Sequence, residues 1–283
     1  MTNHCANQNS VFTFGSLFAG IGGIDLGLER AGMVCKWQVE KEPFANRVLE
    51  KHWPDVVRHD DVCTFPPTES ETWNVDLIAG GFPCQDISNA GKRKGLKGER
   101  SGLFYEVMRI AQRIRPRYLL LENVAALLIR GMGEVLRELA AIGFDAEWHC
   151  VPAASVGAPH RRDRVFIVAY ADGERAFRGK PEDRSRGGAI SRSQEKKGYV
   201  ADTNGKRLQG QRQLGEAGEV FTQEALGVFS GRIGKNQWGI EPNVGRVANG
   251  VPHRVDRLRG LGNAVVPQVA QFIGEIIMDR ERK

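Results

Sequence analysis

A chain of 283 residues with 41% hydrophobic and 26% charged positions is long enough to bury one substantial core and a smaller second lobe. No apolar run approaches the roughly 20 residues that cross a bilayer, and the polar N-terminus lacks a signal-peptide core, so the sequence argues against a membrane protein and predicts a cytoplasmic one. Five cysteines without a C-x-x-C pair argue against a disulfide framework and a zinc site, and the net charge of +6 suits a polyanionic partner.

The first 170 or so residues alternate short aliphatic runs with helix-like stretches, which is typical of βαβ units around a parallel sheet. Strands are predicted at Val11–Leu17, Val75–Ala79, Tyr118–Leu121 and Arg164–Ala169, the last near the edge of the lobe. Apolar residues three and four apart predict helices at Ile24–Arg30, Glu42–Lys51, Gly102–Ile114 and Glu134–Ala141. The sequence therefore predicts an α/β fold.

The character of the chain changes at Asp172. From there to about Gly234 it is rich in Gly, Arg, Lys, Gln and Ser with weak periodicity, which predicts either a loop-rich small domain or a partly disordered insert. Helical spacing returns at Gln268–Met278, a helix that we expect to dock back onto the first lobe. The predicted divisions are residues 11–171, 172–256 and 257–283.

Glycines mark the turn from the first strand into the first helix, at Gly20, Gly22 and Gly23. Glycines there let the backbone approach a ligand, with helix N–H groups facing it. Glu40, about 20 residues on and at the end of a second short strand, is placed to hold both hydroxyls of a ribose. The G-x-G-G spacing argues against a nicotinamide oxidoreductase, so we expect an adenosine-type ligand. Asp61 follows the next predicted strand, where its carboxylate could accept a hydrogen bond from an exocyclic amine. The alternative is that Asp61 is an acid in a solvated loop.

Cys84 follows the strand Val75–Ala79 in a loop shaped by Gly and Pro. Open α/β sheets bind ligands at the carboxyl ends of their strands, where Cys84 is expected to lie. This position favours a reactive thiol over an inert buried one. Glu122 and Asn123 follow three leucines at the end of the next strand. Because a carboxylate there is expensive to bury ionised, we expect a raised pKa and a proton-donating role for Glu122.

Five segments occur in the order Phe18-Ala-Gly-Ile-Gly-Gly, Gly81-Phe-Pro-Cys-Gln, Glu122-Asn-Val, His160-Arg-Arg-Asp-Arg and Gly262-Asn-Ala-Val-Val-Pro. In sequence and order they resemble the motifs of the cytosine carbon-5 DNA methyltransferases, and in particular a compact bacterial and phage type. The resemblance implies a Rossmann-like S-adenosylmethionine-dependent methyltransferase fold with a mostly parallel sheet, plus a small irregular target-recognition lobe. It also implies methyl transfer to carbon 5 of a cytosine that is flipped out of a specific duplex sequence.

The same resemblance assigns the catalytic residues. Cys84 matches the nucleophile that adds to carbon 6, and Glu122 matches the acid that bonds the ring N3. Arg162 and Arg164 match paired arginines that hold the cytosine carbonyl oxygen, the target phosphate and the cysteine loop. Further substrate contacts are implied at Phe82, Gln85, Ser88, Arg100, Asn123, Arg246 and Arg254.

For the cofactor, S-adenosyl-L-methionine, the resemblance implies a pocket that several segments share. Phe18 matches an adenine-stacking position, Glu40 the ribose acid, and Asp61 the adenine contact. The full implied set is Phe18, Ala19, Gly20, Ile21, Gly22, Gly23, Glu40, Asp61, Val62, Pro83, Leu103, Asn263 and Val265. Asn263 is also expected to brace the cysteine loop by bonding its backbone, and no metal is expected.

The implied partner is double-stranded DNA, and the resemblance allows a cognate restriction endonuclease as a second one. We expect a monomer without membrane contact. Two alternatives stay open: a tRNA cytosine-5 methyltransferase of the same fold, and a catalytically silent DNA-binding regulator. The family's ninth motif is not found in full, and a different stretch, Trp238–Leu258, stands before Gly262. The methylated sequence therefore does not follow from the chain.

Overall fold

The computed structural model describes residues 11–68, 70–83, 102–158, 160–171 and 253–282. Within these ranges one mixed sheet has seven strands: β1 Thr13–Leu17, β2 Val34–Val39, β3 Val57–His59, β4 Leu77–Gly81, β5 Tyr118–Val124, β6 Phe144–Pro152 and β7 Asp163–Ala171. Their order is β3-β2-β1-β4-β5-β7-β6. The strands β1 to β5 are parallel, and β7 runs antiparallel to both β5 and β6. The predicted α/β fold with a mostly parallel sheet is confirmed.

Helices cover both faces of this sheet. In chain order they are α1 Gly23–Arg30, α2 Pro43–His52, α3 Leu103–Ile114, α4 Leu127–Arg130, α5 Met132–Ala141, α6 Arg254–Asn263 and α7 Pro267–Glu281. The three leucines of β5 show how the core is divided, because side chains alternate between the faces of a strand. Leu119 and Leu121 join the cluster under α3 and α5, whereas Leu120 joins the cluster under α1 and α7. The three leucines form a continuous apolar run because this part of the strand is buried on both faces.

The C-terminal helix α7 packs on α1, as the sequence predicted. Small residues allow this close approach, since a Cβ added to Gly27 would lie 2.4 Å from the Pro267 carbonyl oxygen. A Cβ on Gly274 would lie 2.8 Å from the Cβ of Ala31. The last helix therefore completes the first lobe. The division at 172–256 stays a prediction, because residues 172–252 lie outside the described ranges.

The stretch Arg254–Glu281 is the one helical stretch of the described chain whose length and composition would allow it to cross a membrane. It consists of two helices, α6 and α7, which are separated at Ala264–Val266. Phe272, Ile273 and Ile277 of α7 are buried in the core against α1. Core packing therefore accounts for its apolar composition.

Besides the four-residue helix α4, two elements were not predicted, β6 and α6. β6 forms an outer edge of the sheet, and its Trp148, His149 and Cys150 are exposed, so it lacks the apolar alternation of a half-buried strand. α6 contains Gly260 and Gly262, which are poor helix formers. In both elements tertiary contacts override a weak local signal.

Candidate active site

The sheet order reverses between β1 and β4. From β1 the chain moves outward to β2 and β3, and β4 on its other side leads to β5. Leu17 at the end of β1 pairs with Gly80 of β4, so the loops that follow the two strands leave the sheet side by side. Ligands of open α/β sheets bind in such a crevice at the carboxyl ends of the strands. The glycine turn and the loop that leads to Cys84 meet at this crevice.

The glycine turn has a backbone that only glycine adopts easily at two positions, Gly20 with φ 58° and Gly22 with φ 81°. Among the described residues, a Cβ on Gly20 would find only the Phe18 carbonyl oxygen within 4.0 Å, so the described chain leaves open space above it. Gly23 faces the C-terminal segment instead, because a Cβ there would lie 2.5 Å from the Val265 carbonyl oxygen. The turn thus has room for a ligand on one side and is closed by Val265 on another.

Glu40 follows β2 and its carboxylate is bound to the glycine turn. Oε2 accepts a hydrogen bond from the Gly20 amide at 2.7 Å, and Oε1 accepts one from the Glu42 amide at 2.7 Å. The residue is only 8% exposed. Each carboxylate oxygen can accept a second bond, so the group remains able to receive two ribose hydroxyls. The residues that the resemblance assigns to the cofactor therefore fit an adenosine group on this side.

Asp61 lies beyond β3 and is partly exposed. Its Oδ1 accepts a hydrogen bond from the Cys63 amide at 2.9 Å, and this bond holds the pKa of the Asp61 carboxyl below its ordinary value. Its Oδ2 lies 3.5 Å from Nζ of the exposed Lys41. An exposed pair at this distance contributes little, so Oδ2 is available to a ligand amine. The neighbouring Val62 is buried.

Arg162 connects the site to the C-terminal segment. Its Nη2 donates to the carbonyl oxygens of Gly262 at 2.7 Å and Ala264 at 2.5 Å, and its backbone has a φ of 37°. Arg162 therefore holds the junction between α6 and α7. Asn263, at the end of α6, is exposed, while Val265 is buried against the glycine turn.

α6 also lies against the cofactor side of the crevice. A Cβ added to Gly260 would lie 3.1 Å from Cγ2 of Ile21 and 3.7 Å from Cε1 of Phe44. Arg259 of the same helix lies 3.6 Å from the Glu42 carboxylate. Arg254 begins this helix. The sequence did not predict the helix, and it places Ile21 of the glycine turn beneath a helical surface.

Glu122 and Arg164 form a buried ion pair, with Oε1 2.8 Å from Nε. The antiparallel pairing of β5 with β7 brings the two side chains together, since Val124 is the direct partner of Arg164. Burial raises the pKa of Glu122 to about 7, although the charges of Arg164 and Arg162 oppose the rise. The predicted rise of this pKa is confirmed. Gly81 makes room for the carboxyl, because a Cβ there would lie 2.7 Å from Oε2.

Phe82 and Asn123 are placed inside the protein, whereas the resemblance implied substrate contacts for both. The Phe82 ring packs on Phe104 with centroids 5.1 Å apart, and both Phe82 and Asn123 are 2% exposed. Asn123 Nδ2 donates to the Phe82 carbonyl oxygen at 3.1 Å. Asn123 therefore braces the start of the cysteine loop, and the bracing role expected of Asn263 stays a prediction, because the loop from Cys84 onward lies outside the described ranges. The substrate contacts implied for Phe82 and Asn123 stay predictions, to be read beside this burial.

Several expected site residues lie outside the described ranges, namely Cys84, Gln85, Ser88, Arg100 and Arg246. Pro83 is the last described residue after β4, and Leu103 is the first residue of α3, so they border this gap. In the described part of the chain no group of three or more His, Cys, Asp or Glu side chains is arranged to hold a metal ion.

The sequence analysis missed a buried acid behind the glycine turn. Asp25 of α1 is completely buried and accepts hydrogen bonds from Ser16 Oγ at 3.0 Å and Gln38 Nε2 at 2.9 Å. Burial raises its pKa to about 6, and the two hydrogen bonds limit the rise. Its neighbours Ile24 and Leu28 are also buried, so its place in the helical pattern was the available signal.

Comparison with known proteins gives one family. The family model for C-5 cytosine-specific DNA methylases matches residues 12–224. Type II methyltransferase M2.BsuMI of Bacillus subtilis (strain 168) is 37% identical over 162 residues, which are 54% of this chain and 41% of the relative. Type II methyltransferase M.Eco47II of Escherichia coli is 39% identical over 170 residues, 57% of this chain and 40% of the relative. The chain thus spans about two fifths of the length of these curated relatives.

Proposed function

The chain belongs to the C-5 cytosine-specific DNA methylase family, and from this premise we propose that it transfers a methyl group from S-adenosyl-L-methionine to carbon 5 of cytosine in double-stranded DNA. One observation carries the proposal beyond membership of the family. The Glu122 carboxyl is buried, has a pKa of about 7 and is held by Arg164 at the carboxyl end of β5. It lies beside Gly81, three residues before Cys84.

Carbon 5 of cytosine is a weak nucleophile, so the reaction needs covalent activation. The thiolate of Cys84 adds to carbon 6, which breaks the aromaticity of the ring and turns carbon 5 into an enamine carbon. Bound S-adenosyl-L-methionine supplies an electrophilic methyl group on a sulfonium sulfur. Transfer of the methyl group releases S-adenosylhomocysteine. Loss of the carbon-5 proton to a base, departure of the Cys84 thiolate from carbon 6 and return of the N3 proton to Glu122 then restore the aromatic ring.

Glu122 provides the proton at the ring N3. Every N–H of an arginine is a donor, so the Oε1 atom that contacts Arg164 is an acceptor and the carboxyl proton belongs on Oε2. Oε2 is the oxygen that faces Gly81. A pKa of about 7 keeps a large share of the carboxyl protonated at neutral pH, and proton donation to N3 offsets charge as it develops on the ring.

The cofactor is assigned to the side of the crevice that the glycine turn, Glu40 and Asp61 form. Glu40 would bind the ribose hydroxyls, the backbone around Gly20 would approach the methionine portion, and Asp61 would accept a bond from the adenine amine. These assignments rest on the open space at Gly20 and on the spare acceptor capacity of Glu40.

A specific duplex sequence as the target and a cytoplasmic place of action are part of this proposal, and both rest on the family resemblance. A cognate restriction endonuclease as partner stays a prediction of the family resemblance.

The decisive test is methyl transfer by the purified chain. Transfer from labelled S-adenosyl-L-methionine into duplex DNA and covalent trapping on DNA that contains 5-fluorocytosine are expected, and bisulfite sequencing of DNA from expressing cells identifies the target. Transfer into tRNA alone would instead identify the tRNA enzyme. Sequence-specific DNA binding without transfer to either substrate would identify the silent regulator.

A further inference from the structure

A single arginine of α3 holds the turn that follows β3. Arg109 Nη2 donates to three carbonyl oxygens of this turn, those of Val62 at 2.9 Å, Cys63 at 3.4 Å and Phe65 at 2.7 Å. Its Nε lies 2.6 Å from the Glu106 carboxylate, one helical turn earlier. One guanidinium thus ties α3 to nearly the whole of the turn.

Apart from the bonds to Arg109, the hydrogen bonds of this turn's backbone in the described chain are local. β3 has only three residues and pairs with β2 on one side, at the edge of the sheet in the described chain. Within the turn the Thr64 amide donates to the Asp61 carbonyl oxygen at 3.2 Å, and the Phe65 amide donates to the Val62 carbonyl oxygen at 3.4 Å. These local bonds define a turn but do not attach it to the body of the protein. The bonds from Arg109 attach it to a core helix.

The held turn carries the acid assigned to the adenine amine. Asp61 begins it, and the Cys63 amide inside it fixes the orientation of the Asp61 carboxylate. Val62 and Phe65 anchor the turn by burying their side chains. A displacement of the backbone at 62–65 would move the Cys63 amide, and with it the carboxylate that it orients.

We propose that Arg109 is a positioning residue that, together with Glu106, sets the adenine selectivity of the cofactor site through the turn at Asp61–Phe65. The inference rests on the proposed function, because it presumes that an adenine lies against Asp61. A planar guanidinium suits this role, because the contact of Nε with Glu106 fixes the plane in which Nη2 donates to the turn. A lysine ammonium has no second nitrogen that Glu106 could hold in this way. The neutral carbonyl acceptors bind more strongly to a charged donor than to an uncharged one.

The test compares two ligands that differ at the adenine amine. S-adenosylhomocysteine carries the exocyclic amine, and S-inosylhomocysteine carries an oxygen in its place. For the wild type we expect the amine-bearing ligand to bind on the order of tenfold more tightly by calorimetry, as a charge-assisted hydrogen bond supplies. In Arg109→Ala the preference should fall below about threefold, with Arg109→Lys between the two.

The matched control is Arg137→Ala, which removes an exposed arginine of α5 that lies 2.9 Å from Glu138 and 3.6 Å from Glu134. It should bind both ligands as the wild type does. A purely structural role of Arg109 would lower the thermal unfolding midpoint of the unligated protein and leave the ratio of the two affinities unchanged. An unchanged ratio in Arg109→Lys and in any folded Arg109→Ala overturns this inference alone. Failure of the wild type to bind S-adenosylhomocysteine overturns the proposed function as well.

Discussion

The Glu122 carboxyl contacts the Arg164 guanidinium, with Oε1 2.8 Å from Nε, and still has a pKa of about 7. An arginine beside a carboxyl lowers its pKa, so the loss of hydration on burial outweighs the ion pair here. Arg164 therefore fixes the orientation of the Glu122 carboxyl as in a salt bridge. The carboxyl nevertheless can keep its proton near neutral pH. This combination suits an acid that has to present a proton in one direction.

The first prediction concerns pH. The pKa of Glu122 lies above its ordinary value of 4.5, and the reaction uses its protonated form, so single-turnover methylation should lose rate as pH rises through about 7. Glu122→Gln should slow the step by about 10²–10⁴-fold and remove this decline, leaving only the opposite dependence on Cys84 deprotonation. Single-turnover rates of both proteins from pH 6 to 9 test this prediction. If the glutamine variant shows the same decline with pH, the decline belongs to another group.

Gly81→Ala should reduce activity through Glu122. The added Cβ would lie 2.7 Å from Oε2, so the carboxyl must move away from its place against Arg164. We expect transfer to slow by roughly tenfold or more, because misplaced catalytic groups lose rate steeply. Gly133→Ala is the control, since a Cβ there meets no atom of the described chain within 4 Å and alanine favours the helix. Equal activity of the two variants would mean that Glu122 tolerates displacement.

Cys84→Ser should abolish methyl transfer while the affinities for cofactor and duplex DNA stay near those of the wild type. A serine hydroxyl is almost entirely protonated at neutral pH and adds poorly to carbon 6. Transfer assays and calorimetry on the same preparation separate the two effects. Methylation by the serine variant at the wild-type rate would exclude the covalent mechanism.

Glu40→Ala should lower the affinity for S-adenosyl-L-methionine by about tenfold or more, since hydrogen bonds to a carboxylate contribute roughly 1.5–3 kcal/mol. The variant also removes the acceptor of the Gly20 amide, so the glycine turn loses a support along with the ribose contact. Glu50→Ala, on the exposed side of α2, is the control. Calorimetric affinity that matches the control would place Glu40 outside the site.

Asp25 should make stability depend on pH. Its pKa is about 6 in the folded protein against an ordinary 3.8, so the folded state holds the proton more tightly than the unfolded state does. The associated stability is present at pH values below 3.8 and is lost as pH rises through about 6, a change on the order of 3 kcal/mol.

Asparagine at position 25 does not titrate, so Asp25→Asn lacks this pH dependence. From pH 4 to 7 the free energy of unfolding of the wild type should therefore fall relative to that of the variant. Urea unfolding of both proteins over this range measures it, because other titrating groups cancel in the difference. A difference that stays constant with pH would mean that Asp25 titrates alike in both states.

The local sequence determined those strands and helices that a run or a regular spacing of apolar residues marks. Apolar runs located β1, β4 and β5, and helical spacing located α1, α2, α3, α5 and α7 within a few residues. The three leucines before Glu122 even indicated its raised pKa, because burial follows from the strand that carries the residue. The family motifs assigned the catalytic and cofactor residues, which remain predictions where the chain is not described.

Only the tertiary structure decided which distant groups meet. Arg162 and Gly262 are 100 residues apart and Arg109 and Phe65 are 44 apart, and the packing of helices and loops on the sheet brings each pair within hydrogen-bond distance. Periodicity states which face of an element is apolar but not which element lies against it. Donors and acceptors at the ends of elements carry no periodic signal, so the partners of Arg109, Arg162 and Asn123 follow from the arrangement of the sheet and not from the sequence around them.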